Sequence, residues 1–451
     1  MMKNSLYFIF FLLAYSVTAQ QEDSKTILIK NIEIFDGINE RTIKGNILIE
    51  GNKISKISKK DISYDSKDVK IIDGEGKFVM PGMIDAHTHI GMEGIAMGSA
   101  TVDWGTANII STQAAKHRLL HGFTTLRNMG GNAIPLAKQI DKGTVPGPRI
   151  YPSGAFISQS GGHGDFDNIT AVPRTSDNLS YSERQGIVAI ADGADQVLKR
   201  TREQLRQGAT QIKLMAGGGI GSSYDPIDVT QYSLEEFKAA VLAADNFGTY
   251  VGVHAYTPRA IQIAIEAGVK TIEHGHLMDE ETAKIMATKG VWLSIQPFII
   301  EEQNDYPIGS PSREKRDYVY GHTDEVYKIA KKHKVKTAWG TDLTGKQKID
   351  RRNDLSRLVG LKKWFTPYEA LKMVTSINAE MLRLSGPRNP YQEGKLGELT
   401  EGAYADLIII NGNPLKEFDL LNNPEENFLL IMKDGKVYKN SLNDMKFDTT
   451  L

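Results

Sequence analysis

Ten histidines and no cysteine stand in a chain of 451 residues, and the placing of the histidines is the first sign of chemistry. Asp85-Ala86-His87-Thr88-His89 follows an apolar segment. In an extended strand alternate side chains share a face, so His87 and His89 point the same way and can chelate one ion. Two partly buried histidines with ordinary hydrogen bonds are the plain alternative, and for a lone pair that alternative competes. Other residues shift the balance. Lys213 lies within Ile212-Lys213-Leu214-Met215, where a buried ammonium is costly unless its charge is altered or paired. His254 stands in Gly252-Val253-His254-Ala255, His274 in Ile272-Glu273-His274-Gly275, and Asp342 follows Trp339-Gly340-Thr341. Without cysteine there are no disulfides, thiolate ligands, cysteine nucleophiles or lipid-modified N-terminal cysteine. Imidazole and carboxylate remain as donors, a set that suits zinc and does not exclude manganese or iron.

These residues need elements to hold them. Residues 26–80 read as short strands, with β-rich 26–29, 46–50 and 53–57 punctuated by Gly51-Asn52 and no amphipathic helix between them. A small antiparallel unit is expected there. From Pro81-Gly82 strands alternate with helices. The strand candidates are 83–90, 123–128, 149–157, 211–215, 250–256, 270–274, 291–297 and 335–342. Between them Ser233-Leu234-Glu235-Glu236 has capping-box spacing, and Thr257-Pro258 offers a capping hydroxyl before a first-turn proline. Ile261 and Ile265 form an apolar stripe that Gly268 ends, and 279–290 repeats the scheme. Eight such strands over roughly 300 residues predict an α/β protein, a (β/α)8 TIM barrel with its site at the C-terminal strand ends. The His, Lys and Asp residues above fall in or at the ends of these strands. Near residue 390 the pattern reverts to strands, at 397–399, 405–410 and 428–432, with the turn Lys433-Asp434-Gly435-Lys436. The two ends are expected to pair as one small β-sandwich domain, 20–80 plus 391–451, with the barrel at 81–390 inserted.

At the N-terminus Lys3 precedes an apolar run, residues 6–14, followed by Val17-Thr18-Ala19. The run is short for a bilayer and has the layout of a cleavable signal peptide over residues 1–19. Periplasmic or secreted location is expected, with no transmembrane segment in the mature chain. Lys and Arg number 54 against 55 Asp and Glu, a net charge of −1, so charge gives no reason to expect nucleic acid or a membrane surface as partner. At 40% hydrophobic and 24% charged residues, the composition is that of an ordinary globular protein.

Taken together, Asp85-Ala86-His87-Thr88-His89, the lysine of Ile212-Lys213, Gly252-Val253-His254-Ala255, Ile272-Glu273-His274-Gly275 and Gly340-Thr341-Asp342 resemble the amidohydrolase superfamily. They look most like its imidazolonepropionase-related branch, which includes Xaa-Pro and Xaa-Arg/Lys dipeptidases and ochratoxin-type amidases. The resemblance runs over essentially the whole chain after the leader. It implies a binuclear centre: His87, His89 and Asp342 bind one divalent ion, His254 and His274 the other. Lys213, carboxylated by carbon dioxide, bridges them. Carboxylation turns a cation into an anion, which accounts for a lysine in that apolar strand; an inward lysine paired with Asp or Glu is the alternative. Two such ions favour a shared hydroxide at neutral pH, and Asp342 serves as general base and then acid.

The same resemblance places His163, in Gly161-Gly162-His163-Gly164, near the substrate carbonyl as an oxyanion donor; a structural turn histidine is the alternative. Tyr256, two residues past His254, faces the same side and is a candidate for a substrate carboxylate, as is Arg259 more weakly; a packing tyrosine and a solvated arginine are the alternatives. The run 216–223 looks like a phosphate loop but lacks the Gly-Lys-Ser/Thr, and is read as a flexible active-site loop. The basic stretch 331–334 reads as a solvated helix end, and His117, His121 and His322 as structural. The expected substrate is a small molecule, a dipeptide or N-acyl amino acid, cut next to its C-terminal amino acid. A cyclic amide or lactam, as for imidazolonepropionase, is the second reading. A non-catalytic binding protein is the third, which the complete ligand set opposes. Proteins of this family often self-associate, but no patch in the sequence reads as an interface.

Overall fold

Both ends of the chain enter one sheet. The computed structural model describes residues 26–64, 68–94, 102–172, 178–299, 306–344 and 353–442, so the expected leader at 1–19 lies outside the described residues. Strands β1 (Thr26–Ile34), β2 (Ile43–Glu50), β3 (Lys53–Ser58), β4 (Val69–Asp73) and β5 (Phe78–Pro81) come from the N-terminal part. In β1 the residues that enter the sheet's main apolar core are Ile27 and Ile29, then Ile32 and Ile34. A bulge between Ile29 and Ile32, with Asn31 in the left-handed region at φ 55°, re-phases the alternation and keeps all four inward. The unit is mixed where an antiparallel one was expected. β2 and β3 follow β1 as antiparallel hairpins, whereas β4 and β5 return along its other edge in its own direction.

The next strands are β6 (Met83–Thr88), β7 (Phe123–Asn128), β8 (Arg149–Pro152), β9 (Phe156–Ser158), β10 (Val188–Ile190), β11 (Ile212–Met215), β12 (Val251–Ala255), β13 (Thr271–His274), β14 (Trp292–Ile295) and β15 (Thr337–Trp339). The last are β16 (Leu407–Ile410), β17 (Phe428–Lys433) and β18 (Lys436–Asn440). The first sheet runs β18-β17-β16-β5-β1-β2-β3, with β4 on β1. β16 pairs antiparallel with β5, so the C-terminal strands complete the sheet that the N-terminal ones begin. Its apolar face, with Ile29, Ile49, Val79, Leu407 and Ile409, forms a core of its own, consistent with a small β-sandwich domain.

The middle of the chain is α/β. Its parallel strands form two ladders, β6-β7-β8 and β10-β9-β11-β12-β13-β14-β15. One expected strand, 149–157, is therefore two. Pro152 has no N–H to donate, and Gly154 turns the backbone to φ 72° between β8 and β9. Side-chain amides join both seams. Gln211 Nε2 donates to the carbonyls of Asn128 (3.1 Å) and Tyr151 (2.8 Å). At the other seam Asn378 Nδ2 donates to the carbonyls of Ile84 (2.7 Å) and Trp339 (2.8 Å), and its Oδ1 accepts from Trp339 N–H (3.1 Å). Leu214, Val253, Ile272 and Leu293 occupy matched positions of β11 to β14 and pack into the core with the helices. Each such side chain contributes about 1.5–3 kcal/mol through its burial.

Helix ends follow the sequence signals with one exception. The Ser233–Glu236 capping box starts the helix Leu234–Asn246, and Asp279 caps Glu280–Lys289. Thr257 precedes the helix Pro258–Ala267 as expected, but its hydroxyl makes no capping bond; the fixed φ of Pro258 starts that turn instead. Among the described residues no helix is long and apolar enough to cross a membrane.

Candidate metal centre

The faces of the parallel strands decide which residues meet. In register, Lys213 lies beside Gly252, Met215 beside His254, His254 beside Glu273, and Glu273 beside Ser294. This is the face opposite the apolar one, so Lys213, His254 and Glu273 share an interior. Strict alternation would put His274 with Ile272, on the wrong side. Instead His274 takes φ 76°, a left-handed conformation costly for a residue with a Cβ. Its ring then lies 5.0 Å from that of His87 and 4.6 Å from that of His254, centroid to centroid. Asp342 is bent likewise, at φ 51°, and its N–H donates to His87 O at 2.8 Å. Gly340 permits that approach, because a Cβ there would stand 2.5 Å from the backbone nitrogen of His87.

The donor atoms converge. His87 Nε2 and His89 Nε2 are 3.3 Å apart, and Asp342 Oδ1 is 3.5 and 3.2 Å from them. Asp342 Oδ2 lies 3.9 Å from His274 Nδ1, so the carboxylate spans both halves of the cluster. Beneath them the Arg127 guanidinium donates to Glu273 Oε2 at 2.6 Å, and that oxygen accepts from His87 Nδ1 at 2.8 Å. The bond leaves Nε2 of His87 facing Asp342, the role that carboxylate partners play for metal-bound imidazoles. Burial would raise the pKa of Glu273, but Arg127 and His87 outweigh it and hold the carboxyl well below the usual range.

Burial also keeps the imidazoles neutral, as metal binding requires. It lowers His87 to about 4, helped by the charge on Lys213, and takes His254 and His274 well below the ordinary value. At Asp342 burial is outweighed by His87, His89 and His274, which hold its pKa well down. Lys213 is 1% exposed and, among the described residues, has no ion pair and no hydrogen bond at its amine. The expected alternative, pairing with Asp or Glu, is therefore not what is seen. Burial pushes its pKa to about 8 against the pull of Glu273 and Asp342. A buried amine without a hydrogen bond, within the field of His87, His254 and His274 and of the carboxylates of Glu273 and Asp342, fits a group that becomes an anion between two cations.

Two further expected residues join the cluster. His163 stacks on His254 at 4.2 Å, and its Nδ1 is 2.6 Å from Ser222 Oγ and 3.3 Å from Asp225 Oδ2. Tyr256 packs 4.9 Å from His254 and 5.4 Å from His274. Burial first and Asp342 next raise its pKa, so its hydroxyl stays a donor. Arg259 is not brought in: it is exposed in the first turn of Pro258–Ala267, and no hydrogen bond or ion pair joins it to the cluster among the described residues. The 216–223 run is pinned, contrary to the flexible loop expected. Gly219 N–H donates to Asp225 Oδ2 at 2.7 Å, and Lys315 Nζ donates to the carbonyls of Gly219, Ser222 and Asp225 at 3.1, 3.0 and 2.8 Å.

Sequence reasoning missed Arg127, Glu273, Ser222 and Asp225. Only Glu273 had a signal, its position one residue before His274 on the inward face. A second His/Asp group with ligand spacing is His117, His121 and Asp354. There His121 Nδ1 is 3.0 Å from both Asp354 oxygens, and Arg118 already holds Asp354 (2.9 Å) and Glu93 (2.8 Å). With Arg118 on the carboxylate, Asp354 sits in an ion-pair network with His121.

The Amidohydrolase family model matches residues 78–439. Ochratoxinase of Aspergillus niger is 32% identical over 378 residues, 80% of this chain and 75% of that one. A crystal structure of a prolidase complexed with N-methylphosphonate-L-proline has a TM-score of 0.83 and 31% identity, covering 92% of this chain and 100% of the other. A Xaa-Pro dipeptidase with bound methionine in the active site has a TM-score of 0.77 and 30% identity, with the same coverage.

Proposed function

The chain belongs to the amidohydrolase family and is an enzyme acting on carbon–nitrogen bonds, and from that premise we propose that it hydrolyses an amide or peptide bond next to a C-terminal amino acid. The observation that carries the proposal is the convergence of His87, His89, His254, His274 and Asp342 near the C-terminal ends of parallel strands, with Lys213 inside β11 on the same inward face. We read the two ladders as one closed (β/α)8 barrel at 81–390, with 20–80 and 391–451 as its companion β-sandwich. The prolidase structure with N-methylphosphonate-L-proline, the dipeptidase structure with methionine, and ochratoxinase support a linear amide.

His87, His89 and Asp342 would hold one divalent ion and His254 and His274 the other, with carboxylated Lys213 between them; zinc suits this donor set. Such a pair supplies acidification of a water and polarisation of the scissile carbonyl. The residues do the rest. The neutral amine of Lys213 adds to carbon dioxide and loses a proton, becoming a carbamate anion. Asp342, 22% exposed and facing three imidazoles, accepts the water proton and delivers it to the leaving nitrogen. With Nδ1 accepting from the Ser222 hydroxyl, the His163 tautomer carries its proton on Nε2, which donates to the developing oxyanion. The Tyr256 hydroxyl donates to the substrate carboxylate. With residues 1–19 removed as a leader, the enzyme works in the periplasm or outside the cell on scavenged peptides or acyl amino acids.

The test is amino-acid release from Xaa-Pro, Xaa-Arg, Xaa-Lys and hydrophobic dipeptides and from N-acyl amino acids. The mature chain is loaded with zinc in bicarbonate, with Asp342→Asn as control. Release is expected, with kcat about 10³-fold lower in the control. No release from protein with confirmed bound metal overturns the proposal and points to lactams.

A further inference from the structure

Among the described residues, one buried arginine has no anion paired with it. Arg118 pairs with Glu93 and Asp354, Arg127 with Glu273, Arg149 with Asp406, and Arg316 with Asp317. Arg357 is buried too, 6% exposed, yet among the described residues it has no ion pair, and its Nε has no hydrogen-bond partner. Its one bond runs from Nη1 to the carbonyl of Thr341, the residue before Asp342. Its guanidinium lies 5.5 Å from the centroid of the Phe298 ring.

Both contacts place it on the active face. Thr341 and Phe298 follow the C-terminal ends of β15 and β14, which are neighbours. Phe298 stacks on His276 at 5.0 Å and on Tyr320 at 4.1 Å, in the apolar group that includes Tyr256. The carrying helix, Asn353–Gly360, is anchored one turn earlier, where Asp354 meets His121 and Arg118. The arginine is thus held in place with donors to spare. A desolvated guanidinium without a counter-ion is costly unless something else supplies the anion.

We propose that Arg357 is the carboxylate subsite of this enzyme: it receives the α-carboxylate of the amino acid being released, beside the ring of Phe298. The proposal rests on the linear-amide reading above and narrows it to substrates with a free C-terminal carboxylate. Tyr256 supplies one neutral hydrogen bond; Arg357 supplies the charge. A carboxamide in place of the carboxylate leaves the guanidinium buried and unpaired, so discrimination is large.

The experiment compares zinc-loaded wild type, Arg357→Met and Arg357→Lys in two ways. The first is kcat/KM on N-acyl amino acids and on their C-terminal amides. The second is calorimetric binding of L-methionine and L-methioninamide, which needs no turnover. Wild type is expected to favour the acid in both. Arg357→Met should lower kcat/KM for the acid about 100-fold and so erase most of the preference for acid over amide, with L-methionine binding weakened in parallel. Arg357→Lys should keep part of the preference, and it carries the comparison if the methionine variant does not fold. Equal loss on acid and amide, or unchanged L-methionine binding in a folded variant, overturns the proposal. If wild type releases no amino acid, the linear-amide reading fails by itself, and the two binding measurements still decide the role of Arg357.

Discussion

Acid should dismantle the centre within a definite window. A histidine in the unfolded chain titrates near 6.5, whereas burial lowers His87 to about 4 and takes His254 and His274 lower still. Between those values the unfolded chain binds more protons than the native one, so stability rises with pH there. The contribution is therefore complete above about pH 6.5 and is lost as pH falls toward 4. Protons also compete with the metal for the same nitrogens. Melting temperature should be level near pH 7 and fall steadily below 6.5, with metal released in the same range. A level melting temperature across that range would mean that the imidazoles are not buried as neutral groups. At this scale the candidate ligands were legible, because His87, His89, Lys213 and Asp342 are conspicuous where they stand. Their partners were not. Glu273 is 186 residues from His87 along the chain, and Arg357 looks like any helix arginine until Thr341 and Phe298 are seen beside it.

Elements bring the residues to bear, and glycines set the tolerances. Gly219 lies under His163, where a Cβ would be 2.0 Å from the imidazole. Gly219→Ala should therefore push His163 off His254 and away from Ser222 and Asp225. The expected result is a kcat reduced about 10²-fold, the scale of a lost oxyanion donor, with a melting temperature close to wild type because the ring can swing aside. A His163→Asn comparison checks the cause: the double variant should be no slower than His163→Asn alone, and additive losses would show that Gly219 acts elsewhere. This loop shows what a glycine run conceals. From sequence 216–223 looked flexible, yet its glycines let the chain pass close to Pro226 and His163 while Lys315 ties it down. The same blindness explains β8 and β9, since hydrophobicity continued through 149–157 and gave little weight to the break at Gly154. Where apolar spacing and turns agreed, as in 123–128, the strand matched to the residue.

At the scale of the whole molecule, a few buried charges join the terminal sheet to the α/β part. Arg149 opens β8, is largely buried, and pairs with Asp406 before β16 and with Asp434, at 2.6 Å, in the turn between β17 and β18. Lys433 Nζ adds a bond to the carbonyl of Gly147 at 2.9 Å. Pairing of the two chain ends could be foreseen because strand patterns flank the alternating region. These charges could not, since Arg149 and Asp406 are 257 residues apart. Asp406→Ala would leave the guanidinium buried with only Asp434, whose carboxylate is half in solvent (46% exposed). Removing one member of a buried pair costs about 3–5 kcal/mol. If β5, paired with both β1 and β16, makes sheet and barrel one cooperative unit, the variant should melt in a single transition at lower temperature. Its kcat at low temperature should match wild type, because Arg149 does not touch the ligand cluster. A split into two transitions in the variant, with the later one unmoved, would show instead that the barrel stands without the terminal sheet.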